Sequence, residues 1–302
     1  AWQLLGAQGD PRNYGSYIRQ AYKDGLVMGD TLGVNPYKFG VVSGSDSHST
    51  AVSYRQKNFF GIHGGNIDET PEKRLQGGHF GFNNLWASPA GLSVVWAEEN
   101  TREAIFTAMQ RKETYSTSGV RLRVRLFGGW EFGPDVLTQK DWVKTAYANG
   151  VPMGGDLPAS TTQVPAFVVW AVKDPDSGNL DRIQIVKGWL DAAGKQHESI
   201  HDVVWSGDRK PGPDGKLPPV GNTVDVAHAT YTNSIGAAEL SSAWTDPDFK
   251  PGERAFYYAR VLEVPTTRWN TYDAARLKMA PLTKVPATIQ ERAWTSPIWY
   301  TP

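Results

Sequence analysis

Apolar positions along this chain fall into two regimes. Near the start, Tyr14, Tyr17, Ile18 and Ala21 recur at i, i+3, i+4 and i+7 and predict a helix over 13–26. Pro11 lies just ahead, where proline is tolerated. After the Asn35-Pro36 break, a short apolar run at 39–42 predicts a buried strand. A second helix is expected over 101–112, with Asn100 as N-cap and Glu103 three residues on in a capping-box arrangement. Ala104, Ile105, Ala108 and Met109 form its apolar face, and Arg111 and Lys112 suit its C-terminal dipole. Arg121-Leu122-Arg123-Val124-Arg125-Leu126 alternates strictly, which predicts a strand with one wet face.

Beyond Gly128-Gly129 helical periodicity almost disappears. Strands are expected at 166–172, 182–187, 203–205 and 256–264, separated by turn sequences such as Asp174-Pro175-Asp176-Ser177-Gly178. This part reads as an antiparallel, sandwich-like β domain. The Pro- and Gly-rich stretch 207–221 reads as a loop, because strand-like sequence lies on both sides. No internal repeat is visible. Residues 49–91 carry no periodicity and are rich in Gly, Asn and His, the signature of a functional loop.

Composition narrows this picture modestly. The 302 residues allow two domains or one large one, and 40% hydrophobic with 21% charged residues is ordinary for a globular chain. Acidic and basic residues balance at 31 each, so no nucleic-acid tail is indicated. The absence of cysteine excludes disulfides, thiolate zinc sites and a cysteine nucleophile. Apolar runs fall far short of membrane-spanning length. Ala1-Trp2-Gln3-Leu4-Leu5 reads as a cut end, without an initiator Met or a signal-peptide pattern. Twelve tryptophans suit a β-rich fold with large buried rings.

Candidate chemistry starts where the 39–42 strand ends. Ser43-Gly44-Ser45 turns the chain, and Asp46 and His48 follow with one residue between them. Side chains two apart in extended backbone point the same way, so a carboxylate and an imidazole project together, as ligands to a divalent metal do. Strand C-termini are where barrels and open α/β sheets gather their sites. His63 and His79, in the following loop, are further candidates for a metal or substrate, with loop hydrogen bonding as the plainer role. His197, His201 and His228 read as structural. Glu98 and Glu99 precede a helix and suit its dipole. Thr114-Tyr115-Ser116-Thr117-Ser118-Gly119 is a hydroxyl-rich turn that either holds an anion or merely connects helix to strand. Arg102 and Arg111 would suit an anionic substrate. Serine-hydrolase elbow, P-loop and dinucleotide fingerprints are all missing.

Longer stretches carry a resemblance. Asn35-Pro36-Tyr37-Lys38-Phe39-Gly40 leading into Gly44-Ser45-Asp46-Ser47-His48 resembles the last ligand motif of PHP-type (polymerase and histidinol phosphatase) metallohydrolases. Trp96-Ala97-Glu98-Glu99-Asn100-Thr101-Arg102, Tyr257-Tyr258-Ala259-Arg260-Val261-Leu262-Glu263 and Glu291-Arg292-Ala293-Trp294-Thr295-Ser296-Pro297-Ile298-Trp299-Tyr300 narrow it. Together they resemble the bacterial family labelled domain of unknown function 3604, almost end to end. The resemblance implies a distorted β/α barrel with a manganese, zinc or iron centre, and an appended β domain. On this chain that means the C-terminal part of the barrel over 1–128 and the β domain over 129–302. Asp46 and His48 would be metal ligands by motif match. Family members are about twice this length and carry a His-x-His strand in their N-terminal half, which this sequence lacks. The chain thus looks like a C-terminal half whose partner is the missing N-terminal half.

The expected function is a metal-dependent hydrolase of small phosphomono- or phosphodiesters, using a divalent transition metal and activated water. His63, Arg102, Ser116 and Ser118 are the candidates for orienting substrate. The alternatives are a carboxylic or carbamic esterase of the same fold, and a non-catalytic β-rich module that binds glycan or a partner through exposed aromatics. No nucleic-acid or membrane partner is expected. Relatives of this kind include exported bacterial proteins, so a periplasmic or secreted location is the expectation, while the sequence itself fixes none.

Overall fold

The computed structural model describes residues 17–45, 47, 53–61, 70–77, 84–89, 91–160 and 162–302. Among these residues the strands form a large sheet, a smaller one facing it, and a two-stranded ribbon. The large, eight-stranded sheet contains β1 (Leu92–Val95), β2 (Thr114–Thr117), β5 (Asp156–Leu157), β7 (Leu180–Leu190), β8 (Gln196–Trp205), β10 (Arg254–Glu263), β13 (Arg292–Thr295) and β14 (Ile298–Tyr300). The facing four-stranded sheet runs β4 (Gly150–Pro152), β3 (Arg123–Gly129), β6 (Ala166–Val172), β9 (Glu239–Thr245). The ribbon pairs β11 (Thr266–Thr267) with β12 (Thr288–Ile289). Pairing is antiparallel throughout except for β14 with β5. Neither sheet closes on itself among the described residues.

Strand β10 organises the large sheet. One flank pairs with β7 along its whole length. The other flank is shared by β13 and β14, which Ser296-Pro297 separates. Proline has no N–H for a ladder, so one long partner becomes two short ones. Side chains alternate across the sheet. Ala255, Tyr257, Ala259 and Val261 face inward against Val124, Leu126, Phe167 and Val169 of the smaller sheet. Phe256 and Tyr258 point outward, with Val186, Leu190 and Trp299, and are covered by Tyr22 and Leu26. A strand buried on both faces loses the apolar–polar alternation of a half-wet one, which is why 256–264 reads as a nearly continuous apolar run.

The covering element is α1 (Ile18–Thr31). It overlaps the helix expected over 13–26, and residues 13–16 lie outside the described residues. Helix α3 (Arg102–Gln110) matches the second expected helix, but its cap is Thr101, whose Oγ1 accepts from the Ala104 N–H at 3.3 Å. Asn100 stands one residue too early to do this. Three further helices had no legible period: α2 (Pro71–Gln76), α4 (Trp142–Asn149) and α5 (Trp269–Arg276). Each is eight residues or fewer, about two turns, too short for an i, i+3, i+4, i+7 pattern to declare itself.

Two sequence expectations need correction. Residues 39–42 are not a buried strand: Phe39 is 38% and Val42 60% exposed, and the segment joins no ladder. It runs extended along the outer face of the large sheet with one side uncovered by described residues. The hydroxyl-rich stretch after α3 is not a turn but strand β2, fully buried, paired with β1 and β13. The expected division after residue 128 falls inside β3, and β1 and β2 are laddered to β13, so sheet pairing crosses that division.

Candidate functional site

The approach to Asp46 and His48 is held by side chains where a strand would use its backbone. Lys112 Nζ donates to the Lys38 carbonyl at 3.2 Å. The Val41 N–H donates to Ser296 Oγ at 2.9 Å. Ser93 Oγ accepts from the Ser43 N–H at 3.0 Å and donates back to the Ser43 carbonyl at 2.6 Å. The Gly91 N–H then reaches the Gly44 carbonyl at 3.3 Å. Gly40 is where the segment comes closest to the sheet: a Cβ there would lie 2.9 Å from Ser296 Oγ and 3.0 Å from Lys112 Cβ. At the end of the segment Ser45 Oγ accepts from the Ser47 N–H at 3.0 Å.

Asp46, His48, His63 and His79 themselves lie outside the described residues. Around the motif's approach the described residues offer hydroxyls and backbone groups, and no three His, Asp or Glu side chains gather as ligands among the described residues. A carboxylate and an imidazole two residues apart fit one edge of a divalent metal site.

Among the expected site residues, Ser116 is set by the fold at one cavity with Val41 and Val42. It is the register partner of Ser93 on one side and of Trp294 on the other. It lines a cavity of about 740 Å³ between α1 and the 41–42 segment, whose walls include Val42, Tyr258 and Trp294. The cavity is largely apolar with one charged corner. There Arg19 Nη1 and Lys23 Nζ both bond Glu198, at 3.1 and 2.9 Å, and Arg19 Nε donates to Tyr258 Oη at 2.9 Å. Burial pushes the Tyr258 phenol up, so at neutral pH it is uncharged and the corner keeps an excess of positive charge.

Ser118 and Arg102 go elsewhere. Ser118 Oγ donates to Glu291 and accepts from the Arg292 N–H at 2.9 Å. Arg102 opens α3 and is exposed, with no part in the Ser116 cavity. His197, His201 and His228 are bonded to Asp191, Ser199 and Asp225 at 2.6, 2.8 and 2.7 Å, local contacts within strand and turn.

Sequence reasoning passed over Arg19, Lys23, Glu198, Glu263 and Glu291. Arg19 and Lys23 had a signal, two cations at i, i+4 on one helix edge. Glu198 had none, because Gln196-His197-Glu198-Ser199 does not look like a strand. Glu263 ends an apolar run and is fully buried. A charge closing such a run is a flag for a polar group that the core has enclosed.

No curated protein and no solved structure matches the chain. The model of the family described as a protein of unknown function, DUF3604, matches residues 5–302. That span takes in both sheets and the Asp46–His48 segment, and the chain belongs to this family.

Proposed function

We propose that the chain is the C-terminal part of a PHP-type, metal-dependent hydrolase acting on phosphomono- or phosphodiesters. One observation supports the reading: residues 40–44, which lead to Asp46 and His48 in the sequence, are pinned at Ser296, Ser93 and Gly91 beside the Ser116 cavity. Asp46 and His48 would hold a manganese, zinc or iron ion. The chemistry such an ion supplies is an activated water, its pKa lowered toward about 7. The chain's own residues position the ester. Arg19 and Lys23 share the single Glu198 carboxylate, and the surplus positive charge favours an anionic phosphoester over a neutral carboxylic or carbamic ester. Ser116 offers a hydroxyl at the same cavity, and Trp294 and Val42 take an apolar leaving group.

The exposed side of the segment, with Phe39 and Val42, is where the remaining barrel half would pack. The binding-module reading draws less support, since no tryptophan is exposed among the described residues.

The test is to combine the chain with a family N-terminal half that carries the His-x-His strand, add manganese or zinc, and assay p-nitrophenyl phosphate, the diester and the acetate. Phosphoester turnover abolished by Asp46→Ala and His48→Ala is the expected result. Turnover indifferent to both changes, or none with any metal, would remove the proposal.

A further inference from the structure

The walls of the cavity beside α1 ask for more than negative charge in a ligand. Tyr17, Ile18 and Val42 line it, at 50%, 47% and 60% exposure. Tyr22, Tyr258 and Trp294 add to the apolar wall. Large apolar side chains left uncovered around one cavity mark a place for an apolar group. The volume of about 740 Å³ falls in the range of pockets for drug-sized ligands, far larger than a bare phosphate needs. One polar group on the wall is idle. Ser116 is 3% exposed, and among the described residues its hydroxyl makes no hydrogen bond. A nearly buried hydroxyl without a partner, at a cavity wall, calls for an oxygen of a ligand or a water. The neighbouring polar groups are taken: Thr295 Oγ1 accepts from the Ala259 N–H at 2.9 Å, and Gln20 Nε2 bonds Asp24 and Gln196 at 2.9 and 2.8 Å.

Charge is confined to one corner. Among the described residues, Arg19, Lys23 and Glu198 are the charged ones on the wall. Arg19 uses Nε on Tyr258 and Nη1 on Glu198, and Lys23 uses one N–H on Glu198. Arg19 Nη2 and the remaining N–H groups of the Lys23 ammonium have no acceptor among the described residues. Two cations with open donors against one carboxylate suit a phosphate. The fitting ligand is therefore anionic at one end and apolar along the rest. A sugar phosphate or a nucleotide fits badly. Its hydroxyls would meet Ser116 and little else that is unoccupied, and a polar group buried without a partner costs affinity.

We propose that this cavity selects phosphomonoesters of long apolar alcohols, alkyl phosphates, with the phosphate at the Arg19–Lys23 corner and the chain against Ile18, Val42 and Trp294. This deepens the hydrolase reading and rests on it for turnover, but not for binding. The test is calorimetric titration of the full chain, without metal, using ethyl, butyl, hexyl and octyl phosphate, with hexanol and glucose 6-phosphate as controls. Affinity is expected to rise about two- to fourfold per methylene from butyl to octyl, the gain from burying each group. Hexanol and glucose 6-phosphate are expected to bind about tenfold or more weakly than hexyl phosphate. Lys23→Gln is expected to weaken every member of the series by a similar factor. Val42→Asp, at an exposed position, is expected to remove the gain with chain length. Ser116→Ala is expected to weaken binding severalfold at an unchanged melting temperature, because the lost hydroxyl strands no partner. No saturable binding of octyl phosphate, affinity indifferent to chain length, or equal binding of glucose 6-phosphate would overturn the assignment. Octyl phosphate bound as expected but not turned over by the reconstituted enzyme would uphold this site and remove the hydrolase reading. Turnover of ethyl and octyl phosphate at equal kcat/KM would do the reverse.

Discussion

Lys187 Nζ and Asp246 Oδ2 lie 2.6 Å apart with only 3% and 0% of their side chains exposed. The pair is fully furnished: Tyr257 Oη donates to the same Asp246 oxygen at 2.7 Å, and Lys187 also donates to the Asp248 carbonyl at 3.1 Å. Removing one member strands a buried charge. Asp246→Ala is expected to cost about 3–5 kcal/mol in urea unfolding, and the double replacement Lys187→Met with Asp246→Leu distinctly less. Glu198, bridged to Arg19 and Lys23 but 37% exposed, supplies the contrast. Glu198→Ala is expected to cost about 0–1 kcal/mol.

Gly188 stands opposite Phe256 in the β7–β10 ladder, and a Cβ there would meet the Phe256 ring at 2.3 Å. The ring cannot swing away, because Tyr22 and Trp299 pack against it at 5.4 and 5.6 Å between centroids. Gly188→Ala is therefore expected to destabilise the chain by about 1–3 kcal/mol, seen as a lowered denaturation midpoint.

Glu263 imposes a pH dependence whose sign follows from its burial. Its carboxyl is raised above the usual range in the fold, whereas in the unfolded chain it ionises near pH 4.3, an approximate reference value. Between those limits the folded chain holds the extra proton, so stability falls as pH rises, by at most about 1.4 kcal/mol per unit. Thermal unfolding followed from about pH 5 to about pH 8 should show a shallower decline in Glu263→Gln than in the wild type, with the variant the more stable at the upper end. Parallel curves would show that Glu263 does not carry the effect.

Ser296 ties the 40–44 segment to the sheet through two bonds, accepting from the Val41 N–H and donating to the Thr114 carbonyl at 2.7 Å. Ser296→Ala is expected to cost about 1–3 kcal/mol. Hydrogen exchange at the Val41 amide should accelerate more than at neighbouring β10 amides. On the hydrolase reading, the same variant should also bind manganese more weakly.

Strand legibility tracked burial. β6 coincides with the expected 166–172, and β10 and β7 lie close to theirs, because their apolar residues form long runs. β8 was expected only at 203–205, yet it spans ten residues. Its polar first half is held by the β7 ladder on one side and α1 on the other, and neither leaves a mark in the local pattern. β2 was hidden differently. Thr114, Ser116 and Thr117 look like a turn, but their hydroxyls sit in a buried sheet, where Thr114 Oγ1 meets Ser296 Oγ at 3.0 Å from 182 residues away. Ser116 and Ser118, grouped by sequence, part: Ser116 lines the cavity beside α1, and Ser118 bonds Glu291.

The sequence by itself determined where α3 lies and that the apolar runs of β6, β7 and β10 are buried. Those features depend on neighbours within a few residues, where backbone periodicity rules. Only the tertiary structure decided that this segment rides exposed on a sheet face, that Arg19, Lys23 and Glu198 converge beside it, and that Glu263 and Glu291 are enclosed together. Each depends on ladder register and sheet stacking between residues far apart in the chain, and no local pattern encodes such a distance.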